Sequence, residues 1–402
     1  MAGRHAALQK RSAHGQELDE RDPLLQVAVD HMQSRDNRQV GMGGYENDWG
    51  QRCAACAHAA HNVAAAETGQ FVSFNTHHLH AAHSPATLRA AMKRVGVAIV
   101  SFNTRDLLAA CLESLTTCSL PFHVVVVDNA SRDGSAALVR RRFPWVTLID
   151  AGRNLGFAAA TNLAIRTVRD LHPTLDYVLA LNPDTVVGEG AIETLVAFLD
   201  AHPRVGIVAP RLLNPDGTVQ TAAFRFPTLL MTVLDLFPPG EVLPGRLYNS
   251  WWHGRYPQEQ SGAAPFPIDH PLGACMLVRC AVIDQIGMLD EEYFMYAEEV
   301  DWCYRARRAG WAIWQEPRAR VVHVGGAATG QFRARMLVAL YASRLRFFRK
   351  HYSARIADLH AAIIRAGMVR LILGAWRAYT NRAIGRDELR SRLWAYGSIL
   401  RL

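Results

Sequence analysis

From Val95 onward, short apolar runs rich in β-branched residues alternate with segments of helical spacing, and the apolar runs end in polar residues. Val95–Phe102 leads into Asn103-Thr104, Val124–Val127 into Asp128-Asn129, and Tyr177–Leu181 into Asn182-Pro183-Asp184; a shorter run, Val146–Ile149, lies between the last two. Asp106–Leu115, Ser135–Phe143, Ala158–Val168 and Gly190–Ala201 carry the helical spacing, and Gly206–Ala209 reads as a further strand. Continuous apolar strands are buried on both faces, and their alternation with helices predicts a parallel sheet joined by right-handed crossovers. Such sheets bind ligands beyond the carboxyl ends of their strands, where Asn103, Asp128 and Asp184 fall. No G-x-G-x-x-G and no P-loop follows the first strand, which argues against a dinucleotide site and a P-loop nucleotidase.

A second stretch, Pro271–His323, is the candidate chemical half. Four acids lie within Glu292–Asp301, among aromatic residues and just before a helix-like run that stops at Gly310. Acids crowded against apolar surface cost free energy unless a metal, a cation or a proton in transit compensates. The residues alone also admit a solvated helix start with Asp301 and Arg305 as an i,i+4 pair. Between the halves, Trp251-Trp252 can stack on sugars, sit at a membrane interface or pack on the protein's own core.

Composition bounds the setting. Of 402 residues 50% are apolar, ample for a large core. The seven cysteines show no disulfide-framework spacing, no apolar run is long enough to span a bilayer, and the N-terminus has no secretory h-region, so a cytoplasmic location is expected. Residues 331–402 hold fifteen Arg/Lys against three Asp/Glu, a net +12, so the preceding 330 residues carry −4 of the total +8. This basic tail calls for a polyanionic neighbour: an anionic membrane, nucleic acid or a phosphorylated substrate. If helical, it aligns Ile364, Met368, Leu371, Ala375 and Tyr379 on one face, the pattern of an interfacial helix; the alternative is packing on the catalytic domain. Residues 1–91 hold nine of the seventeen histidines and little periodicity, and read as a poorly ordered extension. Cys53, Cys56, His58 and His61 are spaced too tightly for a usual zinc finger, and a natural start at Met92 is an alternative reading of this region.

Four motifs in order carry a resemblance: Val127-Asp128-Asn129-Ala130-Ser131-Arg132-Asp133-Gly134; Asn154-Leu155-Gly156-Phe157 with Asn162; Leu181-Asn182-Pro183-Asp184; and Tyr296-Ala297-Glu298-Glu299-Val300-Asp301-Trp302 with His323. Across roughly Val95–Tyr352 the chain resembles the family 2 glycosyltransferases, in particular their rhamnosyltransferase-like branch. The resemblance implies an α/β GT-A fold, a Rossmann-like and mostly parallel central sheet flanked by helices, here followed by a helical basic C-terminal tail. It divides the chain into the extension 1–91, a catalytic domain 92–330 with a nucleotide-binding half 95–210 and an acceptor and catalytic half 211–330, and the tail 331–402. It implies nucleotide contacts by Asn103, Asp128, Asn129, Arg153, Asn154 and Asp184. Asp184 with His323 would hold Mn²⁺ or Mg²⁺, Asn182 standing where the family's D-x-D motif has its first acid. Glu298 and Glu299 occupy the place of the Glu-Asp pair whose second member is the base, and Asp301 is the other candidate. Trp251, Trp252 and Gly273 would meet the acceptor, Gly273 by allowing close approach. Implied partners are a nucleotide-sugar donor, dTDP-rhamnose being favoured, a saccharide or lipid-linked acceptor, and an anionic membrane surface reached from the cytoplasmic side; nucleic acid is not expected. Attack in line with one carboxylate base gives inversion at the anomeric carbon. A nucleotide-sugar pyrophosphorylase, which needs a Gly-rich basic loop after its first strand, and a non-catalytic polyanion- or membrane-binding protein are the competing readings.

Overall fold

The computed structural model describes residues 94–238, 250–326 and 333–402; the expectations for residues 1–91 and for Met92 lie outside them. Chain order is β1 (Val95–Ser101), α1 (Arg105–Leu115), β2 (Phe122–Asp128), α2 (Ser135–Arg142), β3 (Thr147–Asp150), α3 (Phe157–Leu171), β4 (Tyr177–Leu181), β5 (Thr185–Val187) and α4 (Ala191–Ala201). There follow β6 (Val205–Leu213), β7 (Val219–Gln220), β8 (Ala223–Phe224), α5 (Leu229–Leu236), β9 (Phe266–Pro267), β10 (His270–Pro271), β11 (Cys275–Arg279), α6 (Cys280–Ile286), α7 (Glu298–Arg308) and β12 (Ala312–His323). Three helices close the chain: α8 (Arg333–His351), α9 (Ala354–Thr380) and α10 (Arg386–Leu400).

Every residue of β1 is buried. Because side chains alternate across a strand, Val95, Val97 and Ile99 enter one core with Leu108 and Leu112 of α1. Ala98 and Val100 enter the opposite core with Ile165 and Val168 of α3. Each such buried aliphatic contributes about 1.5–3 kcal/mol, which explains why this strand is apolar throughout.

The main sheet runs β3-β2-β1-β4-β11-β6-β12-β5. Its first four strands are parallel, as expected, and the parallel arrangement resumes between β6 and β12. Antiparallel β11 is wedged between β4 and β6. In-register pairing aligns Ser101 with Asp128 and Asp128 with Asp150, so these strands end along one edge. The antiparallel β5–β12 pair sets His323 opposite Thr185, the residue after Asp184.

The last three helices are docked. Phe347 and Phe348 of α8 share a core with Tyr293 and Val300 of the acidic stretch. Ile364 and Met368 of α9 pack with Leu236 of α5 and Ile399 of α10, and Arg370 Nη1 donates to the Leu236 carbonyl at 2.9 Å. The tail face expected to meet lipid is therefore corrected: Ile364, Met368 and Ala375 are buried in the protein. Their apolar spacing serves helix docking, which removes the same area from water that a bilayer would. Among the described residues no helix is long and apolar enough to cross a membrane.

Candidate active site

The loops after β1, β2 and β3 are tied together by amide side chains. Asn103 sits in the left-handed region at φ 51°, its N–H donates to Ser131 Oγ at 3.0 Å, and its Oδ1 accepts from Arg132 N at 2.7 Å. Asn129 accepts from Leu155 N at 2.8 Å and donates to Asn154 Oδ1 at 3.0 Å, which in turn accepts from Gly156 N. Asn103, Asn129 and Asn154 thus fix the shape of these loops, while Arg153 beside them is exposed. Asp128 is 2% exposed. Its Oδ2 accepts from Ser131 N at 2.9 Å, whereas its buried Oδ1 has no partner. An unpaired buried carboxylate oxygen carries a desolvation penalty that a ligand N–H would relieve.

A second group forms where β5 meets β12. His323 Nε2 lies 3.5 Å from Asp184 Oδ1, both residues buried. Burial pushes the Asp184 carboxyl up, but His323 and backbone N–H groups outweigh it and hold the carboxyl below the usual range. His323 Nδ1 donates to Gln220 Oε1 at 2.7 Å, and Gln220 Nε2 donates to Asn214 Oδ1 at 3.0 Å. That chain orients the imidazole with Nε2 towards Asp184, as outer partners of metal-bound histidines do. Asn182 Oδ1 is buried and unpartnered nearby in sequence. Oxygen donors with one imidazole suit Mn²⁺ or Mg²⁺, but no group of three or more His, Cys, Asp or Glu suited to a metal exists among the described residues. Asp184 and His323 therefore fit a cation whose remaining ligands come from outside these side chains.

The third group is the start of α7. Tyr296 and Ala297 are both left-handed, at φ 69° and 62°, an arrangement of order 1–3 kcal/mol per residue that the surroundings must hold. It presents Glu298 and Glu299 on the first turn. Burial and the neighbouring Glu299 charge push Glu298 well above the usual range, and its Oε2 has no partner. Burial pushes Glu299 up to about 7 against the opposing backbone N–H groups of the turn. A Cβ added at Gly273 would stand 3.4 Å from both Cβ and Cγ of Glu299, so the missing side chain lets the loop lie against the carboxylate arm. The adjoining Ala274 carbonyl accepts from Asn182 N at 2.8 Å. Through Gly273-Ala274 the Glu299 side chain and the Asn182–Asp184 turn share one support.

Residues 96–287 match the family model described as glycosyl transferase family 2. The chain is 31% identical over 317 residues to the N-acetylglucosaminyl-diphospho-decaprenol L-rhamnosyltransferase of Mycobacterium tuberculosis, covering 76% of this chain and 94% of that one. It belongs to glycosyltransferase family 2. A low-salt glycan biosynthesis hexosyltransferase of Haloferax volcanii is 31% identical over 204 residues, covering 50% of this chain and 58% of that one. The rhamnosyltransferase WbbL of Escherichia coli is 23% identical over 233 residues, covering 57% and 83%.

In this family 2 enzyme the third acid of the cluster is committed elsewhere. Asp301 is fully buried; Oδ2 accepts from Arg305 Nε, and Oδ1 from Lys350 Nζ and His351 Nε2, all at 2.7 Å. Burial raises its pKa, but His351, Lys350 and Arg305 together hold it below the usual range. Helix α8 grips the same segment at Asp290, through Arg346 at 2.9 Å and Lys350 at 2.7 Å, and at the Met295 carbonyl, through Ser343 Oγ at 2.8 Å. Sequence reasoning did not single out Gln220, Ser343, Lys350 or His351. The turn signal Asn214-Pro215-Asp216-Gly217 marks the β6–β7 hairpin that delivers Gln220; the α8 residues carry no local signal. Trp251 and Trp252 are 50% and 63% exposed, and Arg225 covers the Trp251 ring at 3.7 Å.

The loop between β3 and α3 touches the segment before α7 at Gly156, which has φ 83° and whose added Cβ would fall 2.6 Å from the Phe294 carbonyl oxygen. Gly156→Ala is expected to lose about 1–3 kcal/mol of stability, read as a lowered melting temperature. Wild-type melting of that variant would show that the loop can move away from Phe294.

Proposed function

We propose that this enzyme is an inverting rhamnosyltransferase that moves the sugar of dTDP-rhamnose to a hydroxyl of a saccharide or lipid-linked acceptor in surface polysaccharide synthesis. The observation that carries the reading is the common support of Glu299 and the Asn182–Asp184 turn on Gly273-Ala274. It brings a carboxylate with a pKa near neutrality to the same loop as the acid next to the donor phosphates. Relatives named as rhamnosyltransferases favour the sugar. The relative's named acceptor, a diphospho-decaprenol carrying N-acetylglucosamine, favours a lipid-linked one. Free thiols at Cys111, Cys118, Cys275, Cys280 and Cys303 accord with a reducing, cytoplasmic setting.

The chain's own residues divide the work. Asp128 Oδ1 accepts from the pyrimidine N–H, which relieves its unpaired burial. The staples formed by Asn103, Asn129 and Asn154 hold the wall against which the nucleotide lies, and exposed Arg153 offers a charge to its phosphates. Asp184 and His323 would hold Mn²⁺ or Mg²⁺, which supplies positive charge to the leaving diphosphate when bound. Glu299 takes the acceptor hydroxyl proton as the oxygen attacks the anomeric carbon. Burial pushes the Glu298 carboxyl well above the usual range, which disfavours a second negative charge there. Trp251 and Trp252 offer exposed ring faces for acceptor sugars.

Thermal shift with dTDP, UDP and GDP, each with and without Mn²⁺, tests the donor. Selective, metal-dependent stabilisation by dTDP is expected. Gln220→Leu should require about 10–100-fold more Mn²⁺ for the same shift, because His323 loses its orienting partner. Preference for UDP or GDP would replace the sugar assignment, and no shift in folded protein would sink the donor reading.

A further inference from the structure

Helix α9 has two apolar faces, and among the described residues only one of them is covered. The inner face, with Ile364, Met368 and Ala375, is buried. On the outer face Leu359, Val369, Leu373 and Trp376 are 52%, 49%, 65% and 48% exposed. With exposed Ala362 and Ala366 they follow steps of three and four residues, so they form one continuous stripe. From Leu359 to Trp376 the stripe is about 26 Å long at 1.5 Å per residue. Arg365 borders it on one side, where the exposed acid Asp358 precedes it by two turns, and Arg370 and Arg377 border it on the other. Tyr379 packs edge-on against Trp376 at the C-terminal end, with ring centroids 6.3 Å apart.

We infer that this outer stripe seats on an anionic bilayer surface, with α9 lying in the interface plane. Isolated exposed apolar residues are ordinary, but a continuous stripe of this length marks an interaction surface. Charge complementarity selects the occupant. A second copy of α9 could use the same seam, since steps of three and four also make coiled coils. A parallel copy would set Arg365 against Arg370 across the seam, and Asp358 is the single acid of α9 that a copy in either direction could offer to three arginines. Anionic headgroups pair instead with all three arginines, whose long stems let the charge reach the headgroups while the stripe enters the acyl boundary. Trp376 and Tyr379 have the amphipathic rings favoured at that depth. The inference deepens the lipid-linked acceptor reading proposed above, because such an acceptor lies in the same plane.

Flotation of the full chain with phosphatidylcholine vesicles, with and without about one-third phosphatidylglycerol, tests it. Wild type should float with the anionic vesicles alone and be released by high salt. The double variant Leu373→Glu/Trp376→Glu should bind at least about tenfold more weakly and keep its melting temperature, since both side chains are already in water. Equal flotation of wild type and variant, or none by either, would overturn the proposal. So would a sedimentation result in which wild type is a dimer, the variant a monomer and neither floats. Flotation needs no donor, so protein that floats but transfers no sugar would fail the transferase reading alone.

Discussion

Glu299→Gln should lower kcat by about 10²–10⁴-fold while leaving donor-induced thermal stabilisation intact. Glutamine keeps the shape of the side chain against Gly273 but cannot take a proton. The sign of the pH dependence follows from the raised pKa. Glu299 must be ionised to act, and burial sets its pKa at about 7. Turnover should therefore rise with pH through neutrality and level off above it, and the small residual rate of the variant should lack that limb. Transfer assays from pH 5 to 9 with both proteins are decisive. Residual activity within a few-fold of wild type would remove Glu299 as the base.

Asp301→Ala should instead cost stability, about 3–5 kcal/mol, because it leaves Arg305, Lys350 and His351 around an emptied buried site. Lys350 and Arg305 are partly exposed, so water recovers some of this loss and the lower end of the range is the expected one. The carboxyl's pKa is depressed in the folded protein, so its contribution is fully present above the ordinary aspartate value of 3.8 and is lost as pH falls through the folded value. The melting difference between wild type and variant should be widest near neutral pH and narrow in acid. Activity would fall as well, since α8 holds the turn that bears the proposed base through this residue, so the melting curve is the discriminating readout. An Asp301→Ala protein that melts like wild type yet is inactive would make Asp301 the base in place of Glu299.

The two acids sit two residues apart in one sequence motif, and nothing local separates their roles. Position on the helix does: Glu299 opens on Gly273, whereas Asp301 turns inward to meet a helix some fifty residues later in the chain. The same limit applies to α9. Its sequence offers two apolar faces, of which the reading from sequence named only the inner one. Which face remains in contact with water depends on where α5 and α10 pack, which no helical periodicity can express.

The sheet, by contrast, was readable strand by strand. A strand buried on both faces has to be apolar throughout, and the polar residues that end each run must lie where the sheet stops excluding water. These are local consequences of burial, so Asn103, Asp128 and Asp184 could be placed at one edge from sequence alone. The insertion of β11, the register that puts His323 beside Asp184, the support of that histidine by Gln220 and the grip of α8 on the turn before Glu299 were decided by tertiary structure. Each joins residues far apart in the chain, and such pairings depend on packing and register between elements, which local sequence pattern does not encode.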